Sequence, residues 1–208
     1  MHSFRVAVLV VPALLSACAS TRKSEPQRTA DEELLISSAV DHALDRLNLD
    51  IPAGTKIWVD PADLDGYDQK YAMGAIKDYL LHHGGRLMAD RGGADTVIEI
   101  RAGALSTNSH DLLIGIPALA LPVPMVGATQ TPEVALVKRS DDQGVAKLGI
   151  TAYDAKSGEL ARYSPPAPAY GYSTSKRWIV LSLFDWTERD TLPKAAKDAR
   201  DRSSDDAR

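Results

Sequence analysis

The chain has 208 residues, a formal net charge of -4 and a single cysteine. This length fits one folded domain with flexible ends. The mild acidity argues against a nucleic-acid partner, because phosphate binding requires a basic face. A single cysteine, Cys18, excludes an intrachain disulfide and leaves the folded part without a thiol for a zinc site or a nucleophile. We therefore expect no nucleic-acid partner and no cofactor.

The first 18 residues have the three parts of an export signal. Arg5 supplies a positive charge, residues 6–15 form an apolar core, and small residues precede Cys18. The apolar core is shorter than the roughly 20 apolar residues of a transmembrane helix. The pattern predicts a signal peptide over residues 1–17. An ordinary secretory signal with an incidental cysteine is the alternative.

The tetrapeptide Leu15-Ser16-Ala17-Cys18 resembles the lipobox of bacterial lipoproteins. The resemblance implies cleavage between Ala17 and Cys18 and attachment of lipid, including palmitate, to Cys18. The residue after the cysteine is Ala19 and not an aspartate, so the resemblance implies delivery to the outer membrane. We expect the anchored domain to face the periplasm.

Both ends of the chain are polar. Residues 18–28 contain mixed charges and Pro26, which predicts a lipidated, flexible tether. Ten such residues have a root-mean-square span of about 17 Å, or roughly 35 Å when straight. Residues 187–208 are rich in charge, with no bulky apolar residue after Leu192, and are expected to form a disordered tail.

The first half of the expected domain, residues 29–186, alternates helices and strands. Thr29 and Glu32 have capping-box spacing and introduce a helix that buries Ile36, Val40, Ala43 and Leu47. A strand over 56–60 should stop at Pro61. A helix over 68–83 should bury Ala72, Ile76, Tyr79 and Leu80 and end at Gly84-Gly85. A strand over 95–105 should lie parallel to the first strand.

The second half of the expected domain is predicted to form further strands. Residues 133–138, 145–154 and 159–163 are short β runs, the last two joined by a turn at 155–158 in which Gly158 takes a positive φ. An apolar and aromatic run over 178–186 predicts a buried strand. The expected fold is a single α/β (α+β) domain with a mixed sheet of about five strands and two helices mainly on one face.

The order of these elements carries a second resemblance. The segments "KIWVDP", "HHGGRLM", "ADTVIEIRAGAL" and "GVAKLGITAYDAKSGEL" resemble uncharacterised bacterial outer-membrane lipoproteins that contain a domain of unknown function. They are more distantly similar to curli-secretion-channel lipoproteins and to the N-terminal domain of the Tol system's periplasmic protein. The resemblance covers residues 30–184 and implies fold, since its motifs are structural and none is catalytic.

Three segments contain candidate catalytic or metal-binding residues. The loop from Asp60 to Asp68 contains several closely spaced carboxylates. When Gly66 is aligned with the EF-hand glycine, however, neither of the two essential ligand positions has a carboxylate. We expect these aspartates to cap the second helix. Ser173 stands three residues before Lys176, as in serine acyl-transfer enzymes, but in a predicted loop without the partner motifs. His110-Asp111 has no visible nucleophile. We expect no catalytic residue and no metal ligand.

Residues 112–126 contain no charge and are interrupted by prolines. The segment is too short and too broken to span a membrane as a helix, and too uniformly apolar for pore-forming strands. It is either a buried edge strand with a loop folded over the core, or an exposed surface that docks on a partner or on lipid. The candidate contact residues are Leu112, Leu113, Ile114, Ile116, Leu119, Leu121 and Met125. Residues 165–172, with alternating prolines and tyrosines, are a surface crossover or a second recognition loop.

These observations predict a membrane-anchored envelope lipoprotein. Its domain would be a non-enzymatic binding or accessory module that holds an envelope protein or glycan near the outer membrane. The alternative is a periplasmic hydrolase or metal-dependent enzyme that uses the 60–68 loop or His110 and Ser173. The oligomeric state stays open.

Overall fold

The computed structural model describes residues 28–123 and 127–191. Side chains are described at these positions except within 121–129. Two α-helices and a short 3-10 helix occur in this part of the chain: α1 (Ala30–Asp45), α2 (Gln69–His82) and the 3-10 turn Arg91–Gly93. The strands are β1 (Lys56–Asp63), β2 (Arg86–Leu87), β3 (Thr96–Ile116), β4 (Ala120–Val123), β5 (Gly127–Gln130), β6 (Val134–Asp154), β7 (Ala169–Val180) and β8 (Phe184–Asp190). The predicted signal peptide, Cys18 and most of the predicted tether and tail lie outside the described residues.

Helix α1 begins at the predicted capping box. The Thr29 hydroxyl accepts a hydrogen bond from the Glu32 N–H at 3.2 Å, and the Glu32 carboxylate accepts one from the Thr29 N–H at 2.8 Å. These two bonds satisfy donors that the first turn leaves without intrahelical partners. The predicted apolar face is confirmed, because Ile36, Val40 and Ala43 are buried.

Helix α2 also has the predicted apolar stripe, with Ala72, Ile76 and Leu80 buried. The prediction that the loop aspartates cap this helix is wrong at the cap position. Asp68 adopts a left-handed conformation, with a φ of 56°, and makes no capping hydrogen bond. Its two carboxylate oxygens accept hydrogen bonds from the Arg28 guanidinium at 2.6 and 2.7 Å. The stronger, charged partner has displaced the backbone cap.

Six strands form the main sheet in the order β2-β1-β3-β6-β7-β8. The fold class is confirmed as mixed α+β, with six strands in this sheet where about five were expected. Strand β1 lies parallel to β3, as the helical crossover predicted, and it also lies parallel to the short strand β2, which was not predicted. The other neighbouring pairs are antiparallel. Strands β4 and β5, which lie between β3 and β6 in the sequence, pair with each other in a separate antiparallel sheet.

Strands β3 and β6 are much longer than the sequence predicted. Strand β3 continues past Leu105 to Ile116, and the runs at 133–138 and 145–154 belong to one strand, β6. The two strands pair from Thr96 with Asp154 to Ile116 with Val134. Polar residues between the predicted short runs continue the ladder, because backbone pairing is independent of side-chain polarity.

Two predicted strand boundaries differ in the structure. Strand β1 runs through Pro61 to Asp63, because its pairing with β3 is irregular between Asp60 and Asp63 and a residue without an N–H is tolerated there. Residues 159–163 form only an isolated bridge between Tyr153 and Leu160. The turn before it is confirmed, with Gly158 at a φ of 75°.

The C-terminal strands differ most from the sequence prediction. Tyr170 to Tyr172 and the Ser173 to Lys176 segment lie within β7, where sequence predicted loops. The run 178–186 is the end of β7, a turn and the start of β8, and its side chains are partly or fully exposed, so the predicted buried strand is wrong. Strand β8 continues to Asp190, past the domain boundary predicted at 186.

The hydrophobic core lies between the helices and one face of the main sheet. We call the part of the sheet that contacts the helices the proximal sheet. Ile36, Val40 and Ala43 of α1 and Ile76 of α2 pack against strand residues that include Ile98, Ile100, Leu105, Ala146, Leu148 and Ile150. Withdrawing these apolar side chains from water stabilises the proximal part of the domain. Within the described residues, no helix is long and apolar enough to cross a membrane.

Candidate functional site

The distal halves of four strands extend the sheet beyond this core. We call this part the arm, and it comprises residues 106–116 of β3, 134–144 of β6, 173–180 of β7 and all of β8. Adjacent strands in it are antiparallel and continuously paired. The arm is the feature that sequence analysis did not predict, and it carries the candidate site.

The two faces of the arm follow from strand alternation. Leu105 and Ala146 pair with each other and belong to the core, and the Ser173 hydroxyl donates to the Leu35 carbonyl of α1 at 2.5 Å. These residues therefore face the helices. Side chains that alternate with them point to the opposite side of the sheet, which we call the outer face.

Cross-strand partners form rows across the outer face. The outermost row that spans all four strands contains Ile114, Val137, Val180 and Phe184, and the next row toward the core contains Leu112, Arg139, Trp178 and Trp186. A third row contains His110, Asp141, Lys176 and Glu188. The outer face is therefore apolar at the end of the arm and charged nearer the core.

Large apolar side chains on this face are open to solvent. Leu112, Ile114 and Ile116 are 55%, 53% and 60% exposed. Phe184 and Trp186 are 62% and 51% exposed. Further exposed apolar residues at the same end of the arm are Leu119, Val134, Leu136, Leu181 and Leu183. Contiguous apolar surface of this kind marks contact sites in folded proteins.

The sequence candidates in 112–126 fall into three groups. Leu112, Ile114, Ile116 and Leu119 are exposed, so the interpretation as a buried edge strand is wrong for them. Leu113 alternates with Leu112 and lies, partly buried, on the helix side of the arm. Leu121 lies in β4, where its side chain is outside the described set, and Met125 is outside the described residues.

Sequence reasoning missed the contribution of β7 and β8 to this surface. The turn between them contains no glycine or asparagine, although Leu181 and Ser182 both take positive φ values, 53° and 52°. Contacts with β6 fix this turn: the Leu181 N–H donates to the Leu136 carbonyl at 2.9 Å, and the Ser182 hydroxyl donates to the Ala135 carbonyl at 3.1 Å. The alternation of Trp178, Val180, Phe184 and Trp186 was the available signal.

Aromatic and cationic groups mark the boundary between the apolar and charged rows. The Trp178 and Trp186 rings stack with centroids 6.3 Å apart, and the Arg139 guanidinium lies 4.8 Å from the Trp178 ring centroid. Arg139 also pairs with Asp141 at 2.6 Å, in the next row toward the core. Its charge is thereby directed away from the apolar end.

The helix side of the arm is mainly polar over the same length, with Leu113 and Ile179 as apolar exceptions. Arg177 binds Asp185 with a closest approach of 2.5 Å, and this hydrogen bond lowers the pKa of the Asp185 carboxyl below its usual value. Ser140, Asp142, Thr187 and Arg189 line a shallow depression beside this pair. The arm is therefore an amphipathic sheet with its apolar face turned away from the helices.

The residues considered for catalysis do not lie together in the structure. Ser173 is buried and donates to the Leu35 carbonyl, whereas His110 lies exposed on the outer face in register with Asp141. Asp60 and Asp68 are engaged by the Ala62 N–H and by Arg28. Among the described residues, no group of three or more His, Asp or Glu side chains has an arrangement that could hold a metal ion.

Comparison with protein families identifies the chain at the level of family. The family model described as "Family of unknown function (DUF6655)" matches residues 13–170, which is more than half of the sequence. The chain belongs to this family. No curated protein matches it.

A second concave surface of this DUF6655 protein lies between its two helices. It has a volume of about 630 Å³ and is lined by residues that include Asp41, Tyr71 and His82. The Tyr71 hydroxyl donates to the Asp41 carboxylate, with both O–O distances at 2.9 Å. Burial raises the pKa of Asp41, and burial together with this bond raises the pKa of Tyr71 to about 12. The groove is an open surface without an assembled nucleophile or metal site among its lining residues.

Proposed function

We propose that this protein is a lipid-anchored envelope lipoprotein whose domain acts as a non-enzymatic binding or accessory module at the outer membrane. The observation that carries the proposal is the exposed apolar outer face of the arm. A sheet with one apolar face needs another surface against it, and no described part of the chain covers the residues Leu112, Ile114 and Phe184.

The position where the described chain begins supports an anchor beside the arm. Arg28 is held by Asp68 at 2.6 Å and lies over the Tyr67 ring at 4.9 Å. Asp31, in the first turn of α1, pairs with Arg189 of β8 at 2.8 Å. Arg189 lies five positions after Phe184, a distance of roughly 17 Å along the strand. The flexible tether predicted over residues 18–28 would have a similar average span, so lipid at Cys18 and the end of the arm could reach the same surface.

Sequence motifs near the N-terminus support the proposed anchor. The lipobox at residues 15–18 supports export and lipidation, and Ala19 supports outer-membrane placement. The distant sequence resemblance to curli-secretion-channel lipoproteins and to the N-terminal domain of the Tol periplasmic protein would fit an envelope role. An envelope protein or glycan bound beside the membrane would be the partner.

Lipidation can be tested by growing cells with a palmitate analogue and separating membrane from soluble proteins. We expect the wild-type protein to incorporate the label and to fractionate with membranes. The Cys18→Ala variant should lose the label and move to the soluble periplasm, whereas a Ser24→Ala control should behave as wild type. Unchanged membrane fractionation of Cys18→Ala would show that the lipobox assignment is wrong.

A further inference from the structure

The outer face of the arm is sorted by polarity in one direction. From the free end toward the core, the rows are first apolar, then contain Trp178 and Trp186 with Arg139, and then become charged at Asp141 and Lys176. Protein interfaces usually have an apolar centre surrounded by a polar rim. A polarity gradient along a single axis, ending at the tip of a projecting element, is the pattern of a surface that enters a layered medium.

We propose that this face binds the surface of a lipid bilayer, with Leu112, Ile114 and Phe184 among the acyl chains. The tryptophan pair then lies at the level of the lipid headgroups, where tryptophan is enriched in membrane proteins. Arg139 points from this level toward Asp141 and water, as cationic side chains do at a membrane boundary. The third row, with its four polar or charged residues, lies outside the bilayer.

The length of the apolar zone favours interfacial binding over crossing. From Leu112 to Ile116 the strand advances about 14 Å. The hydrocarbon core of a bilayer is about 30 Å thick, and interfacial elements bury their apolar side about 5–10 Å deep. A tilted arm that inserts its outermost four-stranded row and Leu112, and leaves the tryptophan pair at the headgroups, satisfies these dimensions.

The polar helix side of the arm agrees with this orientation. Arg177, Asp185 and Thr187 occupy the same stretch of sheet as the apolar rows but face the other way. Only the outer face can therefore enter lipid without removing charges from water, which is costly. The inference deepens the proposed function and rests on it only for the tether that brings the arm to the membrane.

The test uses the full chain with Cys18→Ala, which is free of cysteine because Cys18 is the only one. A second substitution, Ile114→Cys, places a polarity-sensitive fluorophore on the outer face. Thr187→Cys places the same fluorophore on the helix side of β8 as the matched control. Each protein is mixed with phosphatidylethanolamine and phosphatidylglycerol vesicles that carry brominated acyl chains. Because each readout is local to its label, affinity of the N-terminal segment for lipid affects both proteins equally.

We expect the label at position 114 to shift to the blue and to be quenched by the brominated chains, and the label at 187 to change little. Adding Trp186→Ser should raise the lipid concentration needed for half-maximal quenching about three- to tenfold, because the variant lacks the exposed tryptophan surface that moves from water into lipid on binding. Leu81→Ser, which removes an apolar side chain that is 51% exposed on α2, is the control for a general loss of hydrophobicity.

Equal responses at positions 114 and 187, or none at either, would overturn the proposal. A blue shift at 114 that depends on protein concentration and needs no vesicles would show that a second copy covers the face instead. Circular dichroism before and after mixing distinguishes these outcomes from unfolding. Since every protein in this test lacks Cys18, its result is independent of the fractionation result that tests the lipobox.

Discussion

At the scale of single residues, the pair Asp41 and Tyr71 links burial to pH. Burial raises the pKa of Asp41 above its usual 3.8, and the hydrogen bond from Tyr71 opposes that rise. The native state therefore takes up this proton at a higher pH than the unfolded chain does. By linkage, this group makes the protein more stable as the pH falls through its native pKa, and less stable above it.

Replacing Tyr71 with phenylalanine removes the bond that favours the charged carboxylate. We expect Tyr71→Phe to raise the pKa of Asp41 further, which a carbon-detected NMR titration would measure. Tyr67→Phe is the matched control, because Tyr67 is exposed and keeps an aromatic ring beneath Arg28. An Asp41 pKa unchanged in Tyr71→Phe would contradict the role assigned to this hydrogen bond.

At the scale of elements, the close approach of β7 to α1 fixes how the arm joins the domain. Gly171 has no side chain, and a Cβ atom built there would collide with the Ala39 carbonyl oxygen of α1. The neighbouring Ser173 is buried and bonded to the same helix at Leu35. The strand that carries Trp178 toward the end of the arm is thereby held against the core.

We expect Gly171→Ala to lower the free energy of unfolding by about 3 kcal/mol, because the backbone of α1 must move to accept a methyl group. Gly74→Ala is the control, since a Cβ there meets no atom within 4 Å and the position is helical. It should raise the free energy of unfolding by about 0.5–1 kcal/mol. Urea denaturation would measure both, and equal effects of the two substitutions would refute the close approach.

The elements that sequence predicted well have local signals. The capping box at Thr29 and Glu32, the apolar stripe of α2 and the positive φ of Gly158 each depend on residues only a few positions apart. The arm lacks such a local signal for its strand pairing. Its strands pair across large sequence separations, as between Leu112 and Arg139, and its apolar residues face water, so the pattern of Trp178 to Trp186 reads as a buried strand.

The candidate site was predictable in part for the same reason. The uncharged stretch after Asp111 identified Leu112, Ile114, Ile116 and Leu119 as candidate contacts from composition alone. The residues beside them in space come from β6, β7 and β8, and only the register of the sheet brings them together. The turn at Leu181 and Ser182 has no glycine to announce it, so the partners Phe184 and Trp186 stayed hidden.

At the scale of the whole molecule, the fold divides into a packed base and a projecting arm. The base buries its apolar residues between two helices and the proximal sheet. The arm presents apolar residues on its outer face and ion pairs on its helix side. The N-terminal helix begins beside β8 through the Asp31 and Arg189 pair. A lipid on Cys18 would hold the base near a membrane while the arm contacts it.

The most direct test of this account is photo-crosslinking in intact cells from position 114, with position 187 as the control on the other face. The account predicts lipid adducts from 114 and few from 187 in the otherwise wild-type protein, and a large decrease at 114 when Cys18→Ala is added. Adducts from 114 that are equally abundant with and without Cys18, or that consist of protein alone, would contradict it.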